Sequence, residues 1–315
     1  MACLARRRSP RGAAGQSHCL PRRRGRRPSG RDRHFRQPDR PLRARPAACA
    51  SAHRSQFALA QRPYADEFAE SHGKEMVVRG ALGAGLPSAG VGCAFAREAL
   101  GRLAAERGGV PFDADSLTED YELGLRLAEM GGRRAFVRIR AAGGLVATRE
   151  YFPGTLDASV RQKARWMTGI ALSGWDRLGW SGGFVERWMR LRDRQSLLAA
   201  ILLGAGYAAL ASWLALKAWQ GAGGRGPAPV PGLLSILVSV NLGLLGWRLA
   251  VRAAFTTAAY GWREGLRAIP RMAIANLVSM LAAAAALSRY RALRRGGPPR
   301  WDKTAHIFPA PAAAK

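Results

Sequence analysis

The first 62 residues of this 315-residue chain contain no lysine and only two acidic residues. They hold 17 arginines, so this arm has a net charge of +15 out of +29, and 29 − 15 = +14 remains for the rest of the chain. The arm also lacks apolar periodicity, which predicts that it is disordered because it cannot bury enough apolar surface to fold. The strongly basic balance therefore says little about the folded part.

Three interpretations of the arm remain open. Arginine clusters neutralise phosphate and are typical of nucleic-acid-binding arms. Before Phe57, however, Phe35 is the one aromatic residue available for base stacking, so a nucleic-acid partner is not expected. An arginine-rich, acid-poor stretch is also typical of a transit peptide, whereas a secretory signal is excluded by the lack of an apolar run. Arginine without lysine also indicates a GC-rich gene read in the wrong frame or from a misplaced start, which we favour.

Cysteines are few, and none has CxxC spacing. Cys3, Cys19 and Cys49 lie in the arm, and Cys93 lies outside it. This pattern supports neither a disulfide framework nor a thiolate metal site. We therefore expect unpaired thiols in a reducing compartment, and the sequence indicates no metal ligands.

One acidic stretch predicts a helix. Ser116 and Glu119 have capping-box spacing, which predicts that a helix begins here and runs to about Met130. Apolar positions recur at helical spacing at Leu123, Leu127 and Met130. Glu122 and Arg126 are four residues apart and are expected to pair. A purely structural interpretation also stands, because the helix dipole favours acidic residues at a helix N-terminus.

A second, basic helix is predicted after Thr155, which has the residue type of an N-cap. An apolar stripe follows at Leu156, Val160, Ala164, Met167 and Ala171. Gln162 and Trp166 are four residues apart on one face, and Arg165 lies beside them. The basic residues and the tryptophans that follow are also typical of a helix anchored at a membrane surface.

The sequence of the remaining soluble part predicts a mixed α/β structure. Residues 135–139 alternate like a strand, and a turn at Gly143-Gly144 leads to a second short strand over 145–148. A turn-rich loop over 87–92 precedes a helix that opens at Phe95. Further upstream, Asp66, Glu67, Glu70 and His72 form either a polar site or, more commonly for such a run, a solvated helix face.

Apolar runs in the second half of the chain predict membrane helices. Ser196–Trp219 is the clearest span, and Leu233–Trp247 is a second, short one. Met272–Leu287 has about 16 residues, fewer than the roughly 20 that a span needs, and arginines flank both of its ends. We therefore expect two spans and a third helix that is interfacial or spanning. Arginines near the spans place the soluble part on the cytoplasmic side.

Together with the spans, two of these patterns resemble the membrane-bound family 2 inverting glycosyltransferases, the cellulose- and hyaluronan-synthase-like group. Thr118-Glu119-Asp120 resembles their TED motif, and Gln162 to Trp166 resembles their QxxRW motif. Within that group the likeness is to the bacteriophage adsorption protein B subgroup. It runs from about Tyr64 to Pro309, including residues 66–72 and 301–306.

The resemblance implies roles for individual residues. Asp120 would be the base that takes the proton from the attacking acceptor hydroxyl. Trp166 would be a platform for the apolar face of a sugar, and Arg165 would offset the charge of the departing diphosphate. The other motif residues would bind acceptor or donor: Thr118, Glu119 and Gln162.

The resemblance also implies a fold and partners. The soluble part would be the acceptor half of a GT-A-like α/β domain, and the donor would be a nucleotide sugar, most simply a UDP-sugar, used with a saccharide acceptor. The family binds Mg²⁺ or Mn²⁺ through a DxD motif, which residues 1–62 lack, so those ligands are not expected in this chain. We therefore expect a truncated form of a bacterial inner-membrane glycosyltransferase of envelope polysaccharide or phage-receptor biosynthesis, with its activity left open, or else a non-catalytic membrane scaffold or relic of such an enzyme.

These expectations divide the chain into five parts. Residues 1–62 form the arm, and residues 63–154 form the acceptor half of the glycosyltransferase domain. Residues 155–195 form the interface helices that carry QxxRW. Residues 196–288 form the membrane region, and residues 289–315 form a basic cytoplasmic tail.

Overall fold

The computed structural model describes residues 2–6, 58–141, 144–146, 152–223 and 231–299. Most of the arginine-rich arm, residues 147–148 of the second predicted strand and the tail residues 301–306 lie outside these ranges. Residues 2–6 form a strand, β1 (Ala2–Arg6), and a helix begins at Ala58, before the boundary predicted at residue 63. The predicted disorder of residues 1–62 therefore does not hold for these two described pieces.

The first half of the described chain consists of short helices. α1 (Ala58–Glu70) continues through one π-helical segment (Ser71–Glu75) into α2 (Met76–Ala81). A long loop then leads to α3 (Arg97–Glu106) and α4 (Glu119–Glu129). α4 lies close to the predicted position because its buried residues Leu123 and Leu127 pack on Ala99 and Leu103 of α3.

The predicted capping box at the start of α4 is wrong. The helix begins at Glu119 with Thr118 as its N-cap, and no side chain caps it. Ser116 instead donates through Oγ to Oε1 of Glu122 at 2.6 Å. Glu122 is only 2% exposed, so its carboxylate needs partners in the protein, and Arg177 supplies a second one at 2.9 Å. The predicted Glu122–Arg126 pair is also wrong. Ser116 and Arg177 are the partners of Glu122, and Arg126 donates to Glu129.

The described part of the soluble region is mainly helical, so the predicted GT-A-like α/β sheet is not confirmed. β2 (Arg133–Val137) pairs antiparallel with β1, from Ala2 opposite Val137 to Arg6 opposite Arg133. β3 (Arg140–Ala141) pairs antiparallel with β4 (Gly144–Leu145). Each sheet has two strands, which is too few to form a layer with its own core.

The basic helix predicted after Thr155 is confirmed as α5 (Leu156–Met167). Thr155 caps it, because its side chain accepts a hydrogen bond from the Ala158 N–H at 3.3 Å. A second π-helical segment (Thr168–Ser173) follows and leads directly into α6 (Gly174–Leu178). α5, this π-helical segment and α6 thus form one nearly continuous helical rod.

Three described helices are long and apolar enough to cross a membrane: α7 (Phe184–Gly223), α8 (Gly232–Tyr260) and α9 (Trp262–Arg294). α7 and α8 contain the predicted spans, and α8 continues well past Arg248. α9 is about twice as long as its apolar stretch suggested, because its charged ends are also helical. Only 6% of the apolar window of α7 and none of that of α8 is buried, compared with 39% for α9.

Candidate functional site

Asp120 lies in the first turn of α4, on the side where a glycine-rich loop crosses the helix. One carboxylate oxygen, Oδ1, accepts a hydrogen bond from the Tyr121 N–H at 2.8 Å. The other faces Gly90, where a methyl group would lie 3.0 Å from Oδ2. Ser88 holds the same loop to α4, since its Oγ donates to the Asp120 carbonyl at 2.8 Å. The loop therefore forms one wall beside the carboxylate.

Burial raises the pKa of Asp120. The Tyr121 N–H and the positive charge of Arg165 act in the opposite direction but do not cancel the effect of burial. The pKa of Glu119 is also raised, again mainly by burial, and Arg165 partly offsets this shift too. A carboxylate with a raised pKa and a nearby arginine is typical of a general base, although structural ion pairs also shift pKa values.

The TED and QxxRW segments meet at Gly169. This glycine lies in the π-helical segment just after α5, and a methyl group on it would be 2.6 Å from both Oγ1 and Cγ2 of Thr118. Arg165, one turn earlier, is close enough for its charge to act on Asp120. The structure thus packs Thr118 against Gly169, and the charge of Arg165 acts on Asp120.

Two of the predicted site residues have buried oxygens without a hydrogen-bond partner in the described part of the chain. They are Oγ1 of Thr118 and Oε1 of Gln162. The two side chains are 4% and 5% exposed, respectively. A buried polar atom without a partner is costly to the folded state.

Trp166, the predicted platform for a sugar, also packs against other aromatic side chains. Its ring packs edge-on against Tyr64 with centroids 5.9 Å apart, and it contacts Phe68 at 6.2 Å. Phe152 completes this aromatic cluster by stacking on Tyr64 at 5.0 Å. Trp166 is half-buried, so it attaches α5 to α1 and still keeps part of its surface accessible.

The acidic residues of α1 form neither a shared polar site nor a solvated face. Each carboxylate pairs with a different helix. Asp66 pairs with Arg271 of α9 at 2.9 Å, Glu67 with Lys163 of α5 at 2.7 Å, and Glu70 with Arg252 of α8 at 2.5 Å. Burial raises the pKa of Asp66 to about 6 despite the opposing charge of Arg271. These contacts fix α5, and with it QxxRW, against the membrane helices.

A further pair of residues, missed by the sequence analysis, joins the TED helix to the first membrane helix. Asp193 of α7 accepts a hydrogen bond from the Tyr121 hydroxyl at 2.7 Å. It also accepts two from Arg79, at 2.7 and 2.9 Å. Arg79 is only 3% exposed, so Asp193 balances the buried charge of its guanidinium. The same carboxylate thus holds Tyr121, which directly follows Asp120. The signal in the sequence that could have pointed to Asp193 is its position just before the apolar run of α7.

Comparison with known proteins assigns the chain to a family. A family model for "Glycosyl transferase family group 2" matches residues 50–222. The chain belongs to this family.

Two relatives of this glycosyl transferase family group 2 chain come from Escherichia coli. They are Bacteriophage adsorption protein B of strain K12 and Bacteriophage N4 adsorption protein B of O157:H7. Each is 34% identical to the chain over an alignment of 280 residues, with a coverage of 78% of this chain and 36% of the relative. The chain therefore spans little more than a third of the length of these relatives. No solved structure matches it.

Membership of glycosyl transferase family group 2 implies a nucleotide-sugar donor and an acceptor, and members often use a divalent metal ion. Within the described ranges, no group of three or more histidine, cysteine, aspartate or glutamate side chains is placed to hold such an ion. Cys93 is a free thiol in this part of the chain, as predicted.

Proposed function

We propose that this chain carries the base and the acceptor side of an inverting glycosyltransferase. The observation that supports it is the contact between the two motif segments, where Thr118 meets Gly169 and the charge of Arg165 reaches Asp120. This contact lies three residues beyond QxxRW, and it supports the proposal that the two motifs, about forty residues apart in sequence, serve one site. Its chemistry combines a carboxylate of raised pKa, a guanidinium and two buried oxygens without partners.

In the proposed reaction, the Asp120 carboxylate removes the proton from an acceptor hydroxyl as its oxygen attacks the anomeric carbon. The bond from that carbon to the nucleotide diphosphate breaks, and the diphosphate leaves with the electron pair. Attack from the face opposite the leaving group inverts the anomeric configuration. Asp120 must be ionised to accept the proton. Its raised pKa makes the carboxylate a stronger base, but it also lowers the fraction of molecules in which Asp120 is ionised at a given pH.

The other motif residues have supporting roles in this proposal. Arg165 offsets the charge that develops on the departing diphosphate, because a guanidinium donates in a fork that matches phosphate oxygens. The buried oxygens of Gln162 and Thr118 accept hydrogen bonds from sugar hydroxyls. The accessible part of Trp166 covers an apolar sugar face, while the rest of its ring stays in the aromatic cluster with Tyr64. Glu119 adds negative charge beside the base.

The proposal also assigns a location and a substrate class. The reaction takes place at the cytoplasmic face of a bacterial inner membrane, since arginines flank the candidate spans on the side of the soluble part. The donor is a UDP-sugar and the acceptor a saccharide. The names of the two relatives refer to bacteriophage adsorption, which suggests that the product contributes to a surface structure that phage recognise.

The test is a transfer assay with the full chain in lipid nanodiscs. UDP release is measured with a panel of UDP-sugars and saccharide acceptors. We expect Asp120→Asn to lower kcat by at least about 100-fold, the usual contribution of a general base. Asp115→Asn is the matched control, because Asp115 is exposed and lies in the segment just before α4. Transfer by Asp120→Asn at the wild-type rate would remove the base assignment.

A non-catalytic membrane scaffold is the second candidate, and one observation favours it. The QxxRW helix is fixed by structural contacts, including the Lys163–Glu67 pair and the aromatic cluster around Trp166. For a scaffold, the wild-type chain would release no UDP with any donor and would bind no UDP-sugar in equilibrium dialysis. Measurable binding that Arg165→Gln weakens would instead support the transferase.

A further inference from the structure

α9 contacts the soluble part of the protein near both of its ends. At the start, Glu264 accepts a hydrogen bond from Arg62 of α1 at 2.7 Å. Near the other end, the hydroxyl of Tyr290 donates to Asp176 of α6 at 2.7 Å. Arg294 lies 3.8 Å from the same carboxylate. The two ends are therefore bonded to polar residues of the same soluble region.

The stretch between these ends is also covered by soluble elements. Arg271 pairs with Asp66 of α1 at 2.9 Å. Further along, Ala282 and Ala286 pack in one buried cluster with Ala164 of α5 and with Ala200 near the start of the apolar run of α7. Asn276 also donates to the Tyr207 hydroxyl of α7 at 3.2 Å. The order of the soluble partners along α9 thus runs from α1 through α5 to α6.

These contacts are too far apart for a helix that crosses the bilayer. Glu264 and Tyr290 are separated by 290 − 264 = 26 residues, or about 39 Å along a helix axis. The hydrocarbon core of a bilayer is roughly 30 Å thick. A transverse α9 would place Arg62 and Asp176 on opposite sides of the membrane. Both belong to one unit, however, because Lys163 of the α5–α6 rod pairs with Glu67 of α1.

The two faces of α9 have different surroundings. One face is buried against protein at Gly265, Ala268, Met272, Ala275, Ala282 and Ala286. The opposite face is exposed and apolar, and it recurs at helical spacing at Trp262, Leu266, Ile269, Leu277 and Leu281. α7 and α8 also have exposed apolar surfaces, since 6% or less of their apolar windows is buried.

Arginines flank the apolar face at both ends. Arg263 and Arg267 lie in the first turns of α9, and Arg291 and Arg295 lie at its end. Trp262 is 63% exposed next to the first pair. Basic residues and tryptophan around an apolar stripe are typical of helices that bind a bilayer surface with anionic headgroups.

We propose that α9 does not cross the membrane but lies flat in its interface, between the soluble part and the anionic headgroup surface of the bilayer that α7 and α8 cross. Its apolar face enters the outer acyl region, and its flanking arginines contact lipid phosphates. The C-terminal end of α9 is then on the same side of the membrane as Asp120. This inference does not depend on catalysis, and its tests require no turnover.

Side-specific labelling tests the topology. Single cysteines are placed in the full chain after the four native cysteines are replaced by serine, and the protein is reconstituted into vesicles containing phosphatidylglycerol. Pro298→Cys reports the end of α9, Asp115→Cys the soluble part, and Gly232→Cys the far end of α8. We expect a membrane-impermeant maleimide to label Pro298→Cys together with Asp115→Cys. Labelling together with Gly232→Cys would overturn the proposal.

The depth of the helix midpoint provides an independent measurement. A fluorophore is attached to Leu277→Cys, near the middle of α9, and to Val240→Cys, in the uncharged part of α8. Lipids that carry a quencher at a shallow or a deep acyl position are then compared. We expect the shallow quencher to act more strongly on Leu277→Cys and the deep quencher on Val240→Cys. Equal depth for the two probes would contradict the interfacial placement.

Discussion

Gly169 contacts Thr118 so closely that no larger side chain fits between the two motif segments. A methyl group at Gly169 would lie 2.6 Å from Oγ1 and Cγ2 of Thr118, closer than any normal contact with a carbon atom. Thr118 is itself buried at the N-cap of α4, so it has little room to move away. The glycine therefore sets the distance between the helix that carries Asp120 and the helix that carries Arg165.

Gly169→Ala should separate these two helices and destabilise the protein. Overpacking of a well-packed contact costs about 1–3 kcal/mol, and we expect a loss of this size in thermal unfolding in detergent. Gly101→Ala is the control, because Gly101 lies in α3 with no atom within 4 Å of the added methyl group. There we expect no loss, or a gain of up to about 1 kcal/mol. Equal unfolding temperatures for the two variants would contradict the close contact.

Gly124→Ala should disturb the loop beside Asp120. A methyl group on Gly124 would lie 2.3 Å from the Leu86 carbonyl oxygen and 2.6 Å from the Ser88 nitrogen. Both atoms belong to the backbone, so the loop must move as a whole and the Ser88–Asp120 hydrogen bond is expected to break. We expect faster hydrogen exchange in residues 85–92 of this variant. Gly206→Ala, on an open face of α7, should leave that exchange unchanged.

Asp193→Asn should cost more than a surface substitution on the same helix. It leaves the buried guanidinium of Arg79 without its counter-charge, and removing one partner of a buried pair costs about 3 kcal/mol or more. Arg192→Gln breaks the neighbouring pair with Glu75, whose atoms are 3.6 Å apart and well exposed, and should cost less than about 1 kcal/mol. Denaturant unfolding of both variants measures the difference; similar losses would argue against a role for Asp193.

The pH dependence of transfer should follow the Asp120 carboxyl. The proposed base must be ionised, so activity should fall as the pH drops through its raised pKa and level off above it. Arg165→Gln removes a charge that lowers this pKa, so the acidic limb of the kcat/KM profile should move to higher pH. Lys163→Gln is the control, since Lys163 pairs with Glu67 instead. An unmoved acidic limb in Arg165→Gln would contradict the assignment.

Local signals in the sequence were sufficient for several elements. Thr155 was recognisable as an N-cap because its side chain acts on a backbone N–H only three residues away. The apolar runs of α7 and α8 were recognisable because a membrane helix needs a long uncharged stretch. The TED and QxxRW segments were found by resemblance, and the roles of their residues in one site remain a prediction.

Long-range partners could not be read from the sequence. Ser116 and Glu119 had the spacing of a capping box, but the buried carboxylate of Glu122 competes successfully for the Ser116 hydroxyl. Asp66, Glu67 and Glu70 looked like a solvated face because nothing local indicates that their partners lie on other helices. Which arginine or lysine approaches which carboxylate depends on how the helices pack, and this is set by the whole chain.

The unbroken α7 has a mechanical consequence. Its 40 residues extend over about 60 Å without a proline, which is twice the thickness of the hydrocarbon core. One part has the length and apolar composition of a membrane span, and the other is bonded to Tyr121 through Asp193. A change in lipid chain length that tilts this rod would therefore displace the TED helix as well, so the geometry around Asp120 should be sensitive to bilayer thickness.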